Sequence, residues 1–231
     1  FGRRVFQNRT SSSCKPLPAS LDRTMTAEKQ YEILDGLPAY GPMYIPISSN
    51  GEPFYSEGFV VRFYKQDGST WVANFSKGWT NFSKVFGFTK QNLVVVFANG
   101  TCYVMTPESE TPKLSFGVTI NNVLQTENGS LICSDDTNIT ILDNETGELW
   151  RSDRISWDGI KDLQIKNNTV VGVSYDPTVD SDEWREFSID LKTKILKGGS
   201  FQDMLANNPN LQADKNGVVS EKTKRPWWKI F

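Results

Sequence analysis

Residues 119–158 read TINNVLQTENGSLICSDDTNITILDNETGELWRSDRISWD, and residues 159–200 read GIKDLQIKNNTVVGVSYDPTVDSDEWREFSIDLKTKILKGGS. Both halves follow one plan of four apolar runs separated by polar turns. In the first, the runs are Val123-Leu124, Leu131-Ile132-Cys133, Ile139 to Leu142 and Leu149-Trp150. Their separators carry Asn128-Gly129, Asp135-Asp136-Thr137 and Asn144 to Gly147, residues that accept the positive φ of tight hairpins. In the second, the runs are Ile160 to Ile165, Val170 to Tyr175, Trp184 to Ile189 and Ile195-Leu196, with an acidic loop from Asp176 to Glu183. Thr119 and Gly159 are 40 residues apart, a spacing typical of four-stranded repeats of about 40–50 residues. The stretch predicts an all-β chain of antiparallel four-stranded meanders: a small β-propeller, or a propeller-like barrel or sandwich, with short peripheral helices.

Upstream, the same rhythm starts near Glu57, with runs Phe59 to Tyr64, Thr70 to Phe75, Val85 to Phe88, Leu93 to Phe97 and Cys102 to Met105. Pro107 to Pro112 reads as a loop, giving about four units in all, the first two less regular. Residues 1–23 read as a basic flexible arm. Residues 24–56 combine a short helix, expected over Thr26 to Leu34 because Thr26 can cap it and Asp35-Gly36 can stop it, with a proline-rich apolar connector. The β-repeat body spans 57–200. After it, 201–231 is expected to hold a short helix capped by Ser200 with Asp203 at N3, a polar linker and the basic aromatic tail Lys224 to Phe231.

Net charge is -2, unevenly spread. Residues 1–23 hold five basic and one acidic side chain, as do 215–231, leaving 15 basic against 25 acidic groups in 24–214. Such a body repels nucleic-acid phosphate and attracts a basic protein partner. The three cysteines, Cys14, Cys102 and Cys133, form no CxxC. Cys102 and Cys133 sit in apolar runs and read as small buried thiols, which favours a reducing, cytoplasmic setting. Sequons such as Asn74, Asn99, Asn128, Asn138 and Asn144 would suit a secreted chain, but turn chemistry explains several of them. The chain starts at Phe1 without an initiator Met, so a processed or exported form is also weighed. No apolar run approaches the roughly 18 residues that span a bilayer, so a soluble body is expected.

Several strings, in order, carry a resemblance: Trp71-Val72-Ala73-Asn74-Phe75, Ile155-Ser156-Trp157-Asp158-Gly159-Ile160, Glu186-Phe187-Ser188-Ile189-Asp190-Leu191, Gly198-Gly199-Ser200 and Pro226-Trp227-Trp228-Lys229. Over roughly Gly58 to Phe231 the chain resembles a family of uncharacterised bacterial β-repeat proteins. That resemblance implies a bacterial source and supplies no catalytic residue.

Histidine is absent, which removes Ser-His-Asp and Cys-His catalysis and HExxH zinc sites. Neither a GxGxxG nor a P-loop spacing occurs. No catalytic residue, cofactor or metal is therefore assigned. Three carboxylate groupings stand as candidates: Asp135-Asp136, Asp143 with Glu145, and Asp180, Asp182 and Glu183 in the longest loop. Turn aspartates ordinarily cap their own backbone, and that reading is preferred to calcium binding or glycoside hydrolysis. Trp157 and Asp158 lie at the seam between units, where Trp157 reads first as a wedge and second as a ligand platform. Trp79, Trp227 and Trp228 complete the aromatic candidates. The expected function is a non-enzymatic protein-binding module, in its sharpest form an immunity-type protein neutralising a basic partner. The alternatives are a carbohydrate-active or calcium-dependent hydrolase and an envelope-associated scaffold held by its aromatic tail.

Overall fold

A computed structural model describes residues 2, 29–41, 43–178, 181–214 and 217–222. The first sheet holds Tyr31–Leu34 (β1), Ile45–Ile47 (β2), Phe59–Tyr64 (β3) and Thr70–Phe75 (β4), in the order β1-β3-β4-β2. The second holds Lys84–Phe88 (β5), Leu93–Ala98 (β6), Thr101–Met105 (β7) and Leu114–Phe116 (β8) as a plain meander. The third runs through Asn122–Gln125 (β9), Leu131–Ser134 (β10), Ile139–Leu142 (β11) and Leu149–Arg151 (β12). The fourth runs through Ile160–Lys166 (β13), Thr169–Pro177 (β14), Asp182–Asp190 (β15) and Leu196–Gly198 (β16). One helix, Ser200–Asn207 (α1), and a hairpin of Leu211–Ala213 (β17) with Val219–Glu221 (β18) follow.

The chain is nearly all-β, and its sheets stack face to face in sequence order, a propeller-like arrangement. Alternation along each strand sends successive side chains to opposite faces. Val94, Val96, Tyr103 and Met105 therefore meet Phe63, Trp71 and Phe75 of the first sheet. On the other face Val95, Phe97, Cys102 and Val104 meet Val123, Leu131, Cys133 and Leu142 of the third. Ile132, Ile139 and Ile141 then meet Ile160, Val170, Phe187 and Ile189 of the fourth. Three seams are thus filled, and among the described residues no apolar core joins the first sheet to the fourth.

Cys102 and Cys133 are free and buried in the middle seam, and burial raises the pKa of both thiols. Two sequon asparagines are committed internally. Asn74 is buried, accepting from Gly58 N at 2.7 Å and donating to Ser56 O at 3.0 Å, while Asn138 donates to Ser152 O at 2.9 Å.

Four expectations are corrected. The segment expected to end a helix at Leu34 is strand β1, paired antiparallel with β3 from Tyr31↔Phe63 to Leu34↔Val60; Thr26 and Glu28 lie outside the described residues. Cross-strand pairing of Tyr31 and Ile33 outweighs a weak local helix signal. The proline-rich connector contributes β2, which runs parallel to β4 on the sheet edge, where Pro46 costs no central ladder bond. The supposed polar linker contains β17 and β18. Finally, α1 has Gly199 rather than Ser200 as its N-cap, with no side-chain cap bond, because the Ser200 hydroxyl donates to Tyr175 O at 2.6 Å. Among the described residues no helix is long and apolar enough to cross a membrane.

Candidate functional site

In a meander, the turn between the second and third strands and the crossing to the next sheet fall at the same end. Three crossings, 76–83, 117–121 and 152–159, meet there and are clamped by main-chain bonds. In the first, Gly78 N donates to Ala98 O at 2.9 Å, Trp79 N to Val118 O at 2.7 Å and Thr80 N to Asn99 O at 2.9 Å. The fit leaves no space at Gly78, where a Cβ would lie 2.5 Å from Val118 O and 2.6 Å from Asn99 O. The second crossing bonds through Ile120 N to Gly100 O at 3.1 Å and through Asn121 N to Ser134 O at 3.0 Å. The third bonds through Ile155 N to Thr137 O at 2.8 Å and Gly159 N to Asp136 O at 2.7 Å. The result is one rigid end face running from the first seam to the last.

Its groups differ along its length. Near the first seam Trp79 is 81% exposed on a backbone held on both sides, with Val118 also exposed beside it. Toward the last seam the face is acidic. Asp135 is structural: its Oδ1 accepts from Thr137 N at 2.8 Å and Asn138 N at 2.7 Å, and its Oδ2 pairs with Arg151 at 3.0 Å. Asp136 accepts from Asn121 Nδ2 at 2.8 Å and has no ion-pair partner among the described residues. Burial first, then the charges of Asp158 and Asp135, raise its pKa above the ordinary 3.8. Asp158 is exposed.

Trp157 packs against α1. Its ring meets Phe201 of α1 edge to face at 5.0 Å, and the Arg154 guanidinium lies 5.7 Å from Trp157 and 4.9 Å from Phe201. Arg154 also donates to Ser156 O at 2.9 Å and Trp157 O at 2.7 Å, so this cation is spent inside the fold. At the outer corner of the fourth sheet, Asp182 accepts from the Tyr175 hydroxyl at 2.6 Å. Glu183 is neutralised by Arg185 at 2.6 Å, and Arg185 also reaches Asp176 at 3.0 Å. Asp180, Trp227 and Trp228 lie outside the described residues. The structure thus brings Trp79 and Asp158 to one end face, keeps Trp157 for packing, and separates Asp143 and Glu145 from them by the length of β11.

Sequence reasoning missed Lys161, Tyr175 and Trp184. The Lys161 ammonium sits 3.5 Å from the Trp184 ring centroid, and Tyr175 lies 5.6 Å from Trp184. The alternation of β14 and β15 carried the signal, since Tyr175 and Trp184 are register partners. The irregularity between Lys161 and Gln164 hid the third member.

At the opposite end a cavity of about 590 Å³ opens between the third and fourth sheets, lined by Gln125, Asn128, Asp143, Asn167 and Lys194 among others. Its carboxylate serves its own turn: Asp143 Oδ1 accepts from Glu145 N at 2.9 Å, Thr146 N at 2.8 Å and Thr146 Oγ1 at 3.1 Å. Asp190 repeats the device with Lys192 N, Thr193 N and the Thr193 hydroxyl. Among the described residues no group of three or more His, Cys, Asp or Glu side chains is placed to hold a metal ion.

No family model matches the chain, and no curated protein matches it. Among solved structures it is similar to the N-terminal domain of Nup159 (TM-score 0.35, 16% identity, 52% of this chain and 34% of that one). It is also similar to a chain of a mitotic checkpoint complex (TM-score 0.36, 14% identity, 85% of this chain and 61% of that one). A third is the WD40 domain of Neurospora crassa Pan2 (TM-score 0.32, 13% identity, 64% of this chain and 50% of that one). The chain spans about a third of the first of these structures.

Proposed function

We propose that this chain is a non-enzymatic protein-binding module that docks a basic protein partner on the end face running from Trp79 to Asp158. The observation that carries the reading is the pairing of an exposed indole on a clamped backbone with carboxylates that, among the described residues, have no ion-pair partner. An aromatic anchor presented without loop ordering loses little entropy on binding. Carboxylates that repel one another in the free protein are relieved when an arginine or lysine arrives, and the same charge speeds encounter with a basic surface. In its sharpest form the partner is a basic toxin whose active site the face covers, which makes the module an immunity-type protein of bacterial origin.

The test is affinity capture from source cells, with the captured protein identified by mass spectrometry and its affinity then measured by calorimetry. A basic protein should be recovered, and Trp79→Ala should weaken it by about 30-fold, the loss of one central aromatic anchor. The double change Asp136→Asn with Asp158→Asn should weaken it further at low salt than at high salt. Recovery of acidic proteins alone, or equal affinity for all variants, would sink the reading.

A further inference from the structure

The outer corner of the fourth sheet is a cation site already filled by the protein itself. Trp184 and Tyr175 face each other across β15 and β14 with ring centroids 5.6 Å apart and planes tilted by 60°. Trp184 is 38% exposed, and its far edge lies over Gly159, where a Cβ would be only 3.5 Å from the ring. One ring face is thus turned outward, and the Lys161 ammonium sits on it at 3.5 Å from the centroid.

Carboxylates stand around the pair. Asp182 accepts the Tyr175 hydroxyl at 2.6 Å, and this bond, then burial, then the charges of Asp182 and Asp158, raise the tyrosine's pKa. Asp158 is therefore within electrostatic reach of Tyr175. Arg185, the cation next to Trp184 on β15, is held by Asp176 and Glu183 and does not compete. An aromatic face flanked by carboxylates takes ammonium and guanidinium groups through the ring quadrupole and the local negative potential. Lys161 is tethered to an edge strand by four methylenes, so it seats there reversibly and protects the face from water when nothing else is bound.

We propose that the Tyr175–Trp184 face is the seat for one arginine or lysine side chain of the partner, and that Lys161 occupies it as a displaceable placeholder in the free protein. This rests on the docking reading above and names the partner chemistry at one corner of that face. A placeholder lowers the apparent affinity of an incoming cation by the fraction of time the seat is filled.

The experiment needs no partner. The chain labelled with ¹⁵N at tryptophan is titrated with N-acetyl-arginine amide, with the uncharged N-acetyl-citrulline amide as control, and the Trp184 indole resonance is followed. Lys161→Gln should shift the arginine midpoint to a concentration about fivefold lower, the expected gain when a seat filled about four-fifths of the time is vacated. Tyr175→Leu, which keeps the Trp184 reporter and removes the other ring of the seat, should weaken the response, with the other six indole resonances reporting that the fold is intact. An unchanged midpoint in Lys161→Gln, or an equal response to the citrulline compound, overturns the proposal. If the seat fails while capture of a basic protein still depends on Trp79 and Asp136, the docking reading stands without it. If the seat holds and no basic protein is captured, only the docking reading falls.

Discussion

The second and fourth sheets are built on the same four-strand plan and have opposite surfaces. Every residue of β6 and β7 is buried, because the second sheet has a neighbour on each face. Among the described residues the fourth sheet has one neighbouring sheet, and along β14 the inward Val170, Gly172 and Ser174 are buried while Val171, Val173 and Tyr175 are only half-buried. A sheet enclosed on both sides has no face left for chemistry. A sheet at the end of the stack keeps one, and that is where the ring pair and its carboxylates lie.

The comparison breaks most visibly in the enclosed sheet. Phe97, wholly buried between Phe82 and Phe86, should cost about 3–5 kcal/mol when changed to Ala, whereas Val173→Ala on the open face should cost under about 1 kcal/mol. Urea midpoints of the two variants give the ratio directly. Gly78→Ala comes next, at about 1–3 kcal/mol, because the new Cβ collides with two carbonyl oxygens that cannot retreat. It should also weaken partner binding by moving Trp79.

Asp143→Ala should cost about 1 kcal/mol through loss of the turn bonds. Bonding from Thr146 N chief among its causes, the folded carboxyl lies below the ordinary 3.8. Its contribution is therefore complete above the unfolded value and lost as pH falls through the folded one, so the gap between wild type and variant should close in urea melts below about pH 4. Asp136 has the opposite sign. Its folded pKa is raised, so ionisation costs stability as pH rises past 3.8 through the folded value. Asp136→Asn, which keeps an acceptor for Asn121, should gain less than about 1 kcal/mol at pH 7 after solvent screening. Thermal melts at pH 7 should therefore shift upward by roughly 1–2 °C.

The third and fourth sheets were legible strand by strand, because Asn-Gly, Asp-Asp-Thr and Asn-Asn turns punctuate runs with a clear period. The first sheet was legible only in its central strands β3 and β4. Its edge strands β1 and β2 are four and three residues long, too short for any period to register, and their pairing partners are distant in sequence. Leu114–Phe116 (β8) failed for the same reason of length. Of the candidate site, Trp79 stood out as an aromatic in a polar Gly/Lys/Asn stretch, and Asp158 by its Asp-Gly turn at the junction between units. The Lys161–Trp184 contact did not, because it crosses β14 and depends on a local register shift. Trp157 was read first as a wedge between units, and the ring contact it makes is with Phe201 of α1.

The order of the stack also governs how the molecule loosens. Among the described residues each sheet is joined by an apolar core only to those beside it in sequence, as in a linear array whose units couple to nearest neighbours. The fourth sheet can then fray with its single seam while the enclosed pair stays shut, and deuterium uptake should be graded along the chain accordingly. A guest seated at Trp184 would slow exchange in β14 and β15 and leave β6 and β7 untouched, giving a readout of occupancy written in backbone amides.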